Sequence, residues 1–233
     1  MHTKIMKRAS LSLATAFLAA TSASEATVIN VDIQGSNSGD TAVANYTGAN
    51  ANGPIASDNT WNYFTTSGVP DAGDSLTVSG VTFTFGTGWT SSYSIAGNPN
   101  NLQSDRAFTT GSAATFTISG LDTTKDYNLA LIGAPTAFNT DFTIGGDTKT
   151  ASAATDAGPD DNGALTFTEG VTHVLFSGLD GSSGSITFTT GNGGAGAGVL
   201  AGLQLQAVPT ESGHSTVTHI LSEGQDVVNT GER

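Results

Sequence analysis

Cysteine is absent from this chain of 233 residues, so neither disulfides nor thiolate-held zinc or iron-sulfur centres can hold it together. Basic residues are also scarce: seven Lys and Arg stand against twenty Asp and Glu, a formal charge of −13. A surface of that sign repels nucleic acid and anionic lipid, which both need Lys and Arg to neutralise phosphate. Aromatics make up 7% of the residues and include two tryptophans, so the position of each ring is informative. Amphipathic helical periodicity is missing after Thr27, and the charged and polar turn clusters leave no other apolar stretch long enough to matter for a membrane.

The one long apolar run, Ala9 to Ala20, follows Lys4, Lys7 and Arg8 and leads into small residues. That order is the pattern of a secretory signal peptide, too short in its apolar part to span a bilayer. Cleavage is expected after Ala26, with Ala23 as the alternative. Export without residues 1–26 leaves four basic and nineteen acidic residues, about −15 in charge. Stable membrane insertion of the remaining chain is not expected.

From Thr27 onward, short period-two runs rich in Val, Ile, Phe and Thr are separated by Gly, Asn, Asp and Ser. This is strand patterning with polar turns. The clearest runs are 27–34, 76–85, 114–120, 126–133, 164–178, 184–190 and 198–208. Within 114–133, Phe116 and Ile118 alternate with Thr, a "GLDTTKD" connection follows, and Tyr127, Leu129 and Leu131 alternate again, which predicts an antiparallel pair with one buried face. So many strands in about 180 residues predict a single all-β domain over 27–209, an antiparallel β-sandwich of jelly-roll type. Residues 210–233 are polar and lack alternation, as expected of a disordered tail. The echoes "SGLD" (119–122, 177–180) and "FTTG" (108–111, 188–191) are too short for a repeat and reflect shared strand-turn chemistry.

Gly73-Asp74-Ser75-Leu76 spells a motif of secreted serine hydrolases. In those enzymes the serine opens a helix and a late Asp-x-x-His supplies the base. Here Ser75 runs directly into a strand pattern, and none of His173, His214 and His219 has Asp three residues earlier. A serine without a positioned base is unreactive, so the four letters are read as coincidence and no catalytic residue is assigned. His173 reads as a structural histidine in a strand. His214 and His219 sit five apart in the tail, and spacing alone makes them no metal site. Glu169, the one glutamate between 27 and 210, falls in a turn.

Two long loops, 34–60 and 96–105, are the candidate seats of function. Trp61 and Tyr63 close the first, and Trp89 and Tyr93 precede the second. Rings on a rigid sheet can stack on sugars while amides and carboxylates bond the hydroxyls. Asp58, Asn59, Asn62, Asn98, Asn100 and Asn101 are the candidate polar contacts, and an equal alternative is that the tryptophans cap the core. Asp156, Asp160, Asp161 and Asn162 gather oxygen ligands in one turn, a candidate calcium site without EF-hand spacing.

"VINVDIQG", the Gly/Asn-rich loop leading to "TWN", the Leu-Asp turn before "YNLALIG" and the strand "GVLAGLQLQAVP" together resemble secreted proteins of the PEP-CTERM sorting system, which have malectin-like or galactose-binding-like jelly rolls. The resemblance covers Thr27 to Pro209. It implies an exported protein of the cell surface or exopolysaccharide matrix and transfers no catalytic residue. That class continues after such a strand with Glu-Pro, an apolar span and a basic cluster. Thr210, Glu211 and the polar tail stand there instead, so the sorting anchor is expected to be absent or altered. The expected function is non-catalytic carbohydrate binding with a polysaccharide partner. The alternatives are a structural or adhesive matrix protein, whose rings would be buried, and a jelly-roll polysaccharide-degrading enzyme, which would need convergent carboxylates.

Overall fold

The computed structural model describes residues 27–34, 43–45, 53–55, 60–65, 68–93, 106–133, 138–152, 167–194 and 196–208. Among them there is no helix. The described residues form fifteen strands, in the order β1 (Val28–Gln34), β2 (Val43–Asn45), β3 (Thr60–Thr65), β4 (Ser75–Val78), β5 (Val81–Phe85), β6 (Ser91–Tyr93), β7 (Arg106–Thr109) and β8 (Ala114–Ser119). They continue with β9 (Asp126–Ile132), β10 (Thr140–Ile144), β11 (Asp147–Ala151), β12 (His173–Asp180), β13 (Ser185–Asn192), β14 (Gly198–Leu200) and β15 (Gly202–Val208).

Two six-stranded sheets carry the fold. Sheet I has the order β12-β9-β15-β1-β3-β2 and sheet II the order β11-β10-β13-β8-β5-β4, while β14-β7-β6 form a small third sheet. Pairing is antiparallel except where β3 runs parallel to β1. From β8 onward the chain passes repeatedly from one large sheet to the other, the jelly-roll manner of connection. The protein is therefore an all-β sandwich.

The period-two pattern explains the core. Val31 and Ile33, Leu129 and Leu131, and Leu203 and Leu205 project from sheet I, and Phe83, Phe85, Phe116, Ile118, Phe142 and Phe188 project from sheet II into one apolar layer. Its centre is aromatic: Phe116 stacks on Phe188 with centroids 5.2 Å apart, and meets Phe85 edge-on at 4.9 Å. Offset and edge-on contacts of this kind suit the ring quadrupoles and add to the gain from area burial.

Several connections differ from those the sequence predicts. The run 76–85 is two strands, because Ser79 (φ 51°) and Gly80 (φ 84°) turn the chain back between Val78 and Val81. A pair of residues with positive φ is what a tight hairpin with native twist requires. The strands β8 and β9 do not pair with each other: β8 lies in sheet II and β9 in sheet I. Their connection crosses the edge of the sandwich. There the Asp122 carboxylate accepts the Thr124 N–H and hydroxyl, while the Tyr127 hydroxyl takes the Asp122 N–H and donates to its carbonyl. Among the described residues of the run 164–178, strand begins at His173, and 198–208 is divided at Ala201, whose N–H reaches Ile132 and whose carbonyl takes the Ile33 N–H. The loop expected at 34–60 contains β2 and the first residue of β3. The SGLD echo is structural: Asp180, like Asp122, folds a turn onto its own carboxylate, here through Ser182.

Candidate functional site

Part of the outer face of sheet I, along β1 and the neighbouring Gln204, is polar and buried. Asn30, Asp32 and Gln34 project from β1 on the side opposite Val31 and Ile33, and Gln204 projects beside Asn30 from β15; each is 2% exposed or less. Buried amides must be paired, since a lone one costs about 1–3 kcal/mol. Gln204 shows how the layer is satisfied: its Nε2 donates to Asn30 Oδ1 at 2.8 Å and to the Ile55 carbonyl at 3.0 Å, and its Oε1 accepts the Ile55 N–H at 2.7 Å. The Asn30 amide donates to the Thr60 carbonyl at 2.8 Å, and the Gln34 amide donates to the Asp32 carboxylate. These bonds fasten the segment 53–55 across the sheet. Gly53 is part of the fastening, for it has φ +70° and a side chain there would collide with the Gln204 amide.

Beside this layer lies a second, smaller core of Trp61, Tyr63, Ile132 and Ala201, with Phe167 packed against it. His173 closes it on the β12 side, with its ring edge-on to Phe167 at 5.9 Å and its Nδ1 at 3.3 Å from the Thr172 hydroxyl. Burial pushes the imidazole below its ordinary value near 6.5, and the Glu169 carboxylate opposes this in part. The neutral ring is therefore the resting form.

Three of the four rings expected to stack on a sugar are buried. Trp61 and Tyr63 are buried in the small core, and Trp89 is buried in the main core with its indole N–H on the Thr115 carbonyl at 2.9 Å. These three rings do not form one exposed surface, because β3 sends Trp61 and Tyr63 to the outer side of sheet I while Trp89 enters between the sheets. Tyr93 ends β6 opposite Arg106, in the third sheet. Asn62 is spent on structure, donating to the Asn30 carbonyl at 3.0 Å. Asp58, Asn59, Asn98, Asn100, Asn101 and the candidate calcium ligands Asp156, Asp160, Asp161 and Asn162 lie outside the described residues. Among the described residues no group of three or more His, Asp and Glu side chains converges in a metal-binding arrangement. Ser75 opens the edge strand β4 opposite Thr84, and His173, the only histidine among the described residues, belongs to the other sheet.

A different surface emerges on sheet II. Its six strands have fifteen outward positions, thirteen of them Ser or Thr; the others are Asp141 and Gly191. Three Thr-Phe-Thr triplets, at 82–84, 115–117 and 187–189, lie on the adjacent strands β5, β8 and β13, phenylalanine inward and threonine outward. Thr84, Thr117 and Thr187 stand side by side in one cross-strand row. Neighbouring hydroxyls touch across strands, Thr117 with Thr187 at 3.1 Å, Thr143 with Thr148 at 2.8 Å and Thr77 with Thr82 at 2.9 Å. The triplets are visible in the sequence, but only the register shows that they form one array.

No family model matches this chain, and no curated protein matches it. Among solved structures it is similar to protein YXIM_BACsu from Bacillus subtilis, with a TM-score of 0.45 and 14% sequence identity, over 78% of this chain and 40% of that chain. The chain thus spans less than half the length of that protein. A likeness at this level transfers neither activity nor ligand.

Proposed function

We propose that this chain is an exported, non-catalytic β-sandwich of the cell surface or exopolysaccharide matrix, with a structural or adhesive role. The observation that carries the choice between structural and ring-stacking readings is the burial of Trp61, Tyr63 and Trp89. Rings committed to the core cannot lie on the face of a sugar, so a contact with polysaccharide would have to use hydroxyl and amide groups of an extended face. The signal-peptide pattern of residues 1–26 supports export, and the strongly acidic composition argues against phosphate-bearing partners. A polysaccharide-degrading role has no support from converging carboxylates among the described residues.

Fractionating cells that express the full chain tests this reading. The expected result is a protein in the extracellular or surface fraction, beginning at Thr27 by mass spectrometry, that leaves the polysaccharides it contacts at their original chain length. Retention in the cytosol, or release of oligosaccharides dependent on the protein, would overturn it. Thermal melting with calcium and with chelator checks the candidate cluster at 156–162: a calcium-dependent rise in midpoint that Asp160→Asn removes would assign the ion there.

A further inference from the structure

We propose that the outer face of sheet II is an ice-binding surface, which goes beyond the matrix role. Solvent-facing strands in soluble proteins ordinarily mix charges of both signs among their polar residues. This protein has twenty acidic residues, and the face admits one carboxylate, Asp141, which lies toward the edge and accepts a hydrogen bond from Thr150 at 2.6 Å. A neutral face on a strongly charged molecule suits a neutral partner.

The partner must also be periodic. The hydroxyls repeat about every 4.8 Å from strand to strand and about 6.6 Å along each strand, the two spacings of a pleated sheet. Each single contact is weak, and none is set in a pocket, so affinity can come only from many equivalent contacts made together. A lattice of ordered water meets that need in two dimensions, with spacings of the same order. Threonine supplies a hydroxyl that both donates and accepts, and a methyl that orders water beside it. The cross-strand bonds between Thr117 and Thr187 and between Thr77 and Thr82 fix rotamers in advance, which lowers the entropy lost on contact. Sheet twist of roughly 20–25° per strand limits a lattice match to a few neighbouring strands, and the triplets occupy three adjacent ones. A crystalline polysaccharide would instead favour aromatic rings for its pyranose faces, and every outward position here is non-aromatic.

The test is adsorption of the full chain to slowly grown ice, read as the fraction taken into the solid, beside crystalline cellulose and analytical sedimentation. Thr117→Tyr places a ring in the middle of the array, and Thr123→Tyr places one in an exposed turn outside it. The expected result is uptake of the wild type and of Thr123→Tyr, with a roughly tenfold loss for a Thr117→Tyr protein of unchanged thermal midpoint. Should Thr117→Tyr not fold, Thr187→Tyr, at a more exposed position in the same row, is expected to show the same loss. Exclusion of the wild type from ice, equal uptake by the array variants, retention on cellulose alone, or a dimer that Thr117→Tyr dissociates would each overturn the proposal.

Discussion

The two large sheets both present polar side chains on their outer faces, yet one face is dry and the other wet. On sheet I, Asn30, Asp32, Gln34 and Gln204 are sealed under covering segments and directed at backbone and one another. On sheet II the polar residues are short hydroxyls turned to solvent, bonded to their neighbours across the strands. The chemistry of the side chains matches the difference. An amide can both donate and accept at a distance from its strand, which lets it fasten a passing segment such as 53–55. A threonine hydroxyl reaches only its neighbour, so it leaves the face flat and open. Buried polar groups thus specify structure in sheet I, and exposed ones form a surface in sheet II.

Breaking the dry side should cost most. Trp61→Ala empties a site in the small core against Ile132 and Ala201, with an expected loss of about 3–5 kcal/mol in urea denaturation. A surface stacking residue at that position would give less than about 0.5 kcal/mol. Gly53→Ala is expected to destabilise by about 1–2 kcal/mol, because the left-handed backbone is strained for alanine and the new Cβ meets the Gln204 amide. The effect should shrink when Gln204→Ala is combined with it, which a double-mutant cycle measures.

A smaller effect separates the faces by pH. Because His173 is held below its ordinary value of 6.5, the unfolded chain binds a proton there before the folded one does. Its contribution is complete above about pH 6.5 and is lost as pH falls through the lower folded value. Thermal midpoints of the wild type should decline across that window, and those of His173→Gln should decline less. Asp122 and Asp180, held below 3.8 by their hydrogen bonds to Thr124 and Ser182, act only at more acid pH.

The strand pattern is legible in the sequence because alternation is a local signal. Its alternating runs correspond to β1, β8, β9, β13 and β15, and their inward residues form the core. Partnership between strands is not local: "GLDTTKD" reads as a hairpin loop, whereas the Asp122 turn and the Tyr127 hydroxyl carry the chain to the other sheet. The hairpin of β10 and β11 was legible in Gly145-Gly146, which has the residue types a two-residue turn requires. Its strands, "TDFTI" and "DTKTA", have too few apolar residues to stand out by alternation. The rings misled for a related reason. A tryptophan beside Asn and Asp looks exposed in one dimension, and only packing shows that Trp61 is buried while its neighbour Asn62 bonds the Asn30 carbonyl. The same limit hid the array on sheet II, where Thr-Phe-Thr is ordinary strand patterning until three copies fall into register.

The contrast between the faces rests on which polar side chains the fold needs, and side-by-side urea denaturation of Gln204→Leu and Thr117→Val measures that most directly. Gln204→Leu removes the bonds to both Ile55 backbone groups and one donor to the Asn30 amide oxygen, so it is expected to lose about 1–3 kcal/mol. Thr117→Val keeps shape and strand propensity on an open face and is expected to stay within about 0.5 kcal/mol of the wild type. Equal losses, or a larger loss for Thr117→Val, would contradict the division between a structural polar layer and an available one.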